Sequence, residues 1–276
     1  MEMVITKSDF ELIISVATSA HMEVFEKVEP QFADTYERCK EDILGAAGTD
    51  AAEDGTHLQL TKDVKRWVSV HAFLSVFRQL DLVLTPTGFG VVSTQQMAPA
   101  SKPRVDALMG HLRDSALQAR GQLLAELCKV SGWKDTPQAH GNIDTLFYDF
   151  RLLQKMQGPA VSCLEWQAAQ RLIAEADEGL RLKISNQYMD ALLDSVRSAS
   201  VSEADADVIN LCRQVFSLWI SGDHEAVRLK MRRLLNLLDS NTEKYELYHQ
   251  YGYPVNHHEN FQNTEDAPAY VFIGLH

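Results

Sequence analysis

The sequence predicts a mainly α protein: a helical bundle with an inserted β-hairpin or extended loop at about residues 82–92 and a short C-terminal strand. Three observations predict this fold class. Apolar residues recur every three to four positions through most of the chain, as on one face of a helix. Residues 81–101, "DLVLTPTGFGVVSTQQMAPAS", are rich in Val, Thr, Gly and Pro and lack that spacing. The last residues, "AYVFIGLH", are an apolar run of the β type.

Composition and charge are those of a globular protein. The chain has 276 residues, 45% hydrophobic and 23% charged, which is enough to bury a large core without disulfides or metals. No apolar run approaches the ~18 residues of a membrane span, and the acidic N-terminus predicts no secretion signal. The net charge of −12 argues against non-specific nucleic-acid binding, which needs clustered Lys and Arg. The densest basic stretch, "RLKMRRLL" at residues 228–235, is expected to be a solvated helix face.

The four cysteines indicate a reducing compartment. They are far apart and form no CxxC pair, so we expect reduced, buried side chains rather than a zinc or redox site. They are Cys39, Cys128, Cys163 and Cys212.

The first part of the chain predicts short helices and one loop. Ser8, with Glu11 three residues later, has the pattern of a capping box and predicts the first helix. A second helix is predicted over residues 21–45, with a break at Pro30. Residues 46–57, "AAGTDAAEDGTH", are small, acidic and punctuated by glycine, and they predict an exposed loop.

Two long helices are predicted on either side of residues 81–100. The first starts near Thr61 and has a helical apolar stripe. His71 lies on this stripe and is expected to be a hydrogen-bonded core histidine rather than a ligand or a base. The second follows Ser101 as its N-cap, with Pro103 in the first turn.

Residues 81–100 themselves predict a hairpin. "DLVLT" and "GVVST" are strand-type runs, and "PTGFG" between them is a turn. Pro86 has a turn-favoured position, and Gly88 and Gly90 accept unusual dihedral angles. The glycines do not form a phosphate-binding loop, because no GxGxxG pattern is present and no helix starts directly after them.

The second half of the chain predicts helices with recognisable starts. Ser162 and Glu165 form a capping-box pattern, and helical spacing continues to Val196. Ser202 predicts another N-cap, followed by acidic residues that the helix dipole favours there. Residues 202–239 therefore predict a helical hairpin that completes a helical body over residues 1–240.

Residues 241–276 predict an extended C-terminal arm, because they are polar and aromatic with little periodicity. The strand at its end must pair with something. Its partner is either the hairpin of residues 81–100 or a sheet edge in a neighbouring subunit.

Motifs of familiar catalytic chemistry are missing. The sequence has no Walker loop, GxSxG elbow, HExxH or EF-hand loop. The best metal-like cluster is His257, His258 and Glu259, with His249 upstream. Adjacent histidines in a strand point to opposite faces and rarely bind one ion together. We therefore expect no catalytic residue, no cofactor and no metal.

One stretch resembles a known family. "HAFLSVFRQLDLVLTPTGFGVVSTQQMAPASKPRVDAL", residues 71–108, resembles a segment of head–tail connectors, also called adaptor or head-completion proteins, from tailed phages and prophages of gut bacteria. The resemblance implies a mostly helical subunit with an extended loop or hairpin that assembles as a ring beneath the portal.

That resemblance implies a virion structural protein, made in the bacterial host cytoplasm, and not an enzyme. Its partners would be itself in a ring, the portal protein above, and a tail or stopper protein below. DNA would pass through without specific binding, and an acidic surface suits such a channel because like charges repel. No membrane partner is expected.

The contact residues of such a ring are expected in the hairpin and in the terminal strand. Both pieces are predicted to leave backbone donors and acceptors that a second molecule completes. These residues are Leu82, Leu84, Pro86, Gly88, Phe89, Val91, Tyr270, Phe272 and Ile273.

Two alternatives stay open on the sequence. A helical protein-interaction module without ring assembly shares the lack of catalytic motifs. A metal-dependent hydrolase would use His249, His257, His258 and Glu259. The alternatives differ from the connector hypothesis in oligomeric state and in bound metal.

Overall fold

The computed structural model of the protein describes residues 3–15, 23–80, 82–85, 88–91 and 101–257. Over these ranges the fold is mainly α-helical, as the sequence predicts. No helix within them is both long and apolar enough to cross a membrane. Pro86 and the expected C-terminal strand, with Tyr270, Phe272 and Ile273, lie outside the described residues.

The elements follow one another along the chain with a π-helical turn at Lys40–Leu44 and 3-10 turns at Phe77–Gln79 and Trp133–Asp135. Their bounds are α1 Lys7–Ile13, α2 Glu23–Val28, α3 Gln31–Cys39, α4 Gly45–Glu53, α5 Leu58–Val76, β1 Leu82–Thr85, β2 Gly88–Val91, α6 Lys102–Leu127, α7 Pro137–Asn142, α8 Phe150–Gln157, α9 Cys163–Ile184, α10 Asn186–Arg197, α11 Glu203–Ile220, α12 His224–Asp239, α13 Glu246–Tyr251 and α14 Tyr253–Asn256.

Helix α5 organises the N-terminal half of the molecule. It packs along α6 and against α3, with α1 and α4 beside it. Its buried residues include Val64 and Val68, which are four positions apart on one face, and Phe73. The ring of Phe73 meets that of Phe10 edge-on, with centroids 6.0 Å apart. This aromatic contact holds the short helix α1 on the core.

Helices α9, α11 and α12 form the C-terminal half. Helix α11 packs against both others, and residues 221–223 connect it to α12. The capping box predicted at Ser162 and Glu165 is confirmed at the start of α9. The N-cap predicted at Ser202 is confirmed as well, because its hydroxyl accepts a 3.0 Å hydrogen bond from the Asp205 amide.

One hydrophobic core runs through both halves. The segment at residues 143–149, which joins them, is neither helix nor strand. Ile143, Leu146 and Phe147 are nevertheless fully buried. Carbonyl groups of a buried irregular segment have no regular partners, so donors must come from elsewhere in the fold.

Three arginines, from α6, α10 and α11, supply those donors. We call Arg120, Arg197 and Arg213 the bridging arginines. Each guanidinium donates to main-chain oxygens at or beside the segment: Arg120 to those of Asn142 and Tyr148 (both 3.2 Å), Arg197 to that of Ile143 (3.0 and 2.7 Å) and Arg213 to that of Leu146 (3.0 Å).

The loop predicted at residues 46–57 is wrong over most of its length, because residues 45–53 form α4. Gly45 adopts a φ of 61° between the π-helical turn and α4. A methyl group on Gly48 would lie 2.7 Å from Leu127 Cδ2 of α6, and Ala51 and Ala52 are buried. The small residues that indicated a loop therefore let a helix pack closely, and residues 54–57 alone connect α4 to α5.

The extended arm predicted from residue 241 is wrong as far as residue 256. Helices α13 and α14 lie there, and α13 packs against α10 and α12. Tyr245 and Tyr248 are at most 1% exposed and belong to the core. Gly252 lies so close to the main chain of Ile184 that a side chain there would not fit. The stretch looked irregular because each helix is too short to show a period.

The first helix begins two residues earlier than the sequence predicts. Thr6 is its N-cap, and the capping box forms with Asp9 instead of between Ser8 and Glu11. Lys65 of α5 donates to Asp9 Oδ2 at 2.9 Å. This tertiary contact favours the earlier of two competing local patterns.

Candidate interaction surfaces

The strands β1 and β2 lie in the chain between α5 and α6 and pair antiparallel. Leu82 is opposite Val91, and Leu84 is opposite Phe89. Opposite residues of an antiparallel pair lie on the same face of the sheet, and successive residues alternate between faces. The register therefore places these four expected contact residues on one face. Gly88, opposite Thr85, is on the other face.

The edges of this hairpin, like its faces, could contact another molecule. Its sheet contains two strands within the part of the chain that the structure describes. Each strand thus has one edge whose N–H and C=O groups no described strand pairs. A two-stranded hairpin gains most stability when a further strand or an apolar surface covers it. The hairpin offers both an edge for an added strand and an apolar face.

The histidines considered as metal ligands do not form a metal-binding cluster among the described residues. The rings of His249 and His257 lie against that of Tyr253, at centroid distances of 5.1 and 3.9 Å. His249 Nε2 is 2.9 Å from the carbonyl oxygen of Leu238. His258 and Glu259 lie outside the described residues, and within these residues no group of three or more His, Cys, Asp or Glu could hold a metal ion.

His71 has the surroundings expected of a structural histidine. Its ring stacks on that of Trp67 at a centroid distance of 3.8 Å. Its Nδ1 is 2.8 Å from the Trp67 carbonyl oxygen. Burial lowers the pKa of His71, and the hydrogen bond to Trp67 opposes that effect. The ring is therefore neutral at physiological pH and serves packing.

The four cysteines are all free and buried. Burial raises the pKa of Cys128 to about 11 and that of Cys212 to about 12. The pKa of Cys39 is raised further, for the same reason. The thiolate is the reactive form of cysteine, so these side chains are poor nucleophiles at neutral pH.

A second surface, which the sequence analysis missed, is a groove of about 650 Å³ bounded by α9, α11, α12 and the end of α14. We call it the terminal groove. Its floor includes Ala176 of α9, Val215 of α11 and Val227 of α12, all at most 9% exposed. Met231 and Leu235 add apolar surface on α12. The basic stretch at residues 228–235 is thus only partly a solvated face.

Cations lie along the groove. Lys183, Arg228 and Arg232 line it and are exposed. Arg228 pairs with Glu225 on its own helix. Neither Lys183 nor Arg232 has an ion-pair partner among the residues that the structure places, so both are available to an anionic ligand.

The acidic residues that line the groove have partners. Glu175 pairs with Arg171 at 2.8 Å. Asp239 accepts a 2.9 Å hydrogen bond from the Tyr248 hydroxyl and lies 3.6 Å from His257 Nε2. Because these carboxylates are engaged, the unpaired charge in the groove is positive. The floor is apolar, so the groove suits a segment that combines acidic and apolar side chains.

A comparison with known protein families matches part of the chain. Residues 26–143 match a family described as a family of unknown function (DUF6712). No curated protein and no solved structure matches the chain significantly. The matched region contains the hairpin and ends where the buried segment begins, whereas the terminal groove lies outside it. Over less than half of its length, the chain is therefore similar to a family of unknown function.

Proposed function

We propose that the protein is a virion structural protein of a tailed phage or prophage, a head-to-tail connector that forms a homo-oligomeric ring between the portal and the tail. The observation that carries this proposal is the hairpin register, with Leu82, Leu84, Phe89 and Val91 on one face of a sheet whose edges are open among the described residues. A neighbouring subunit would cover that face or add a strand.

Two further features support the proposal. A mainly helical body with one inserted hairpin is the subunit architecture that the resemblance implies. The net charge of −12 is compatible with a channel that DNA crosses without being bound. On this proposal the protein is made in the bacterial host cytoplasm and ends in the virion, and Pro86, Gly88, Tyr270, Phe272 and Ile273 complete the set of contact residues.

The test is the mass of the particles that the purified full-length chain forms, alone and with the portal protein encoded in the same genome, measured by mass photometry. We expect ring-sized homo-oligomers, or their formation on the portal. Leu84→Asp with Phe89→Asp should abolish them, because two charges replace apolar residues at an interface. The matched control is Val83→Asp with Thr85→Asp, which places two charges on the opposite face and should keep assembly.

A chain that stays monomeric both alone and with the portal contradicts the connector proposal. A second candidate, a helical interaction module that binds one partner without forming a ring, requires that the terminal groove stays open to that partner. A one-to-one complex in the same measurement, unaffected by the Leu84 and Phe89 substitutions, would support that candidate instead.

A further inference from the structure

We propose that the terminal groove is filled by residues 258–266 of the same chain, "HENFQNTED". The described chain ends at the groove. His257 lines the groove, and its ring is fixed there by Tyr253 and by Asp239 at 3.6 Å. The residues that follow therefore leave from the groove itself and need no long tether to reach it.

The segment is also long enough to span the groove. Asp239 lies at the C-terminal end of α12, so the segment starts at that end of the groove. Helix α12 has 16 residues and is about 24 Å long. Nine residues in extended form span up to about 30 Å. Residues 258–266 are thus long enough to run back along the groove to the start of α12 near His224.

The side chains of the segment complement those of the groove. Residues 258–276 contain no Lys or Arg, and residues 258–266 contain Glu259, Glu265 and Asp266 around one large apolar residue, Phe261. The groove has unpaired cations on its rim and an apolar floor. In this arrangement Phe261 would cover the apolar floor. The carboxylates would face Lys183 and Arg232 and neutralise their charges. The short tether gives the segment a high effective concentration, which favours its own groove over that of another subunit.

This inference goes beyond the connector proposal and does not depend on it. It gives the acidic part of the C-terminal segment a structural role in its own subunit. The residues after Pro268, which include Tyr270, Phe272 and Ile273, would then start from a fixed point on the body.

The test uses the full-length chain with Phe261→p-benzoylphenylalanine, which is photo-crosslinked and mapped by mass spectrometry. We expect crosslinks to groove residues, above all to Met231 and Leu235. A mixture of isotopically labelled and unlabelled chains separates crosslinks within one chain from those between chains. Crosslinks mainly outside the groove, no crosslinks at all, or groove crosslinks found mainly between chains would each overturn the proposal.

A charge-reversal pair tests the electrostatic part. Lys183→Glu with Arg232→Glu should lower the yield of groove crosslinks by about tenfold, since two attractive contacts become repulsive. The control is Lys155→Glu with Arg233→Glu, which changes the net charge equally at exposed sites outside the groove and should leave the yield unchanged. Equal yields in the two double variants would contradict the proposed role of the cations.

A salt series needs no substitution in the groove and so avoids any variant that fails to fold. Raising ionic strength from about 0.05 to about 0.5 M should reduce the groove crosslinks, because salt screens exposed charges. A yield that is independent of salt counts against the charge contacts. Ring formation is scored separately, so chains that crosslink in the groove but form no rings, either alone or with the portal, would refute the connector proposal alone.

Discussion

Arg197 donates two hydrogen bonds, of 3.0 and 2.7 Å, to the carbonyl oxygen of Ile143, a residue 54 positions earlier in the chain. Arg197 is 6% exposed, and Ile143 is fully buried. The contact joins α10 to the irregular segment in the middle of the core. It shows that main-chain hydrogen bonding at the centre of this helical protein depends on side chains distant in sequence.

Arg197→Met is expected to lower the free energy of unfolding by about 2–4 kcal/mol, because the Ile143 carbonyl loses its charged donors in a buried position. Denaturant unfolding followed by circular dichroism measures the change. The control is Arg171→Met, whose side chain is 88% exposed, with an expected loss of about 0.5 kcal/mol or less. Equal losses in the two variants would show that the bridging bond contributes little.

Two glycines of α6 should respond in opposite directions to alanine. A methyl group on Gly121 would lie 2.5 Å from Arg151 Nε, in the ion pair that Arg151 makes with the buried Asp149, whereas one on Gly110 would meet no atom within 4 Å. Gly110→Ala should raise the free energy of unfolding by about 0.5–1 kcal/mol through helix propensity. Gly121→Ala should lower it by about 1–3 kcal/mol. Thermal unfolding of both variants checks the opposite signs.

The ion pair between Asp9 and Lys65 should make stability depend on pH in the acid range. The hydrogen bond from Lys65 lowers the pKa of Asp9 below its ordinary value of 3.8. The pair therefore stabilises the fold above about that pH, and its contribution is lost as pH falls through the lower folded-state pKa.

Asp9→Asn should consequently cost about 0.5–1 kcal/mol at pH 7, a small value because the pair is partly exposed. The difference from the wild type should shrink towards zero as pH falls below 3.8. Urea unfolding between neutral pH and pH 3 measures it. A difference that stays constant over this range would mean that Asp9 acts through the helix cap and not through its charge.

The thiols should be protected by the fold. Burial both hides the four cysteines and raises the pKa of Cys128 to about 11, so the reactive thiolate is scarce. We expect no rapid reaction with iodoacetamide in the native protein at pH 8 and four modified residues in urea, counted by mass spectrometry. Rapid native modification of any one cysteine would place it in a locally opening region.

Short sequence patterns were sufficient to predict those features that depend on residues near one another in the chain. The break at Pro30, the caps at Ser162 and Ser202 and the buried stripe around His71 follow from residues within a few positions of one another. Helix α4 could not be predicted in this way, because its glycines and alanines indicate a loop until α5 and the end of α6 pack against them. The burial of Tyr245 and Tyr248 could not be predicted either, because they become core residues only through tertiary packing.

The two candidate surfaces also differ in how far the sequence predicts them. Spacing predicts the hairpin contact residues, and their covering by a second subunit stays a prediction, because no local signal specifies a partner. The terminal groove could not be found from sequence, because its residues come from four helices with no common motif. The only local signal was the set of apolar residues among the charges of residues 228–235, which is typical of any amphipathic helix.

The bridging arginines also limit where the chain can be truncated without loss of folding. Arg197 and Arg213 lie beyond residue 143, where the match to the family of unknown function ends, and α6 packs against α8 and α9 from the other half. A fragment limited to residues 26–143 would leave the Ile143 carbonyl without Arg197 and expose the side of α6 that packs on α8 and α9. Chimeras and truncations should therefore carry both halves as one inseparable folding unit.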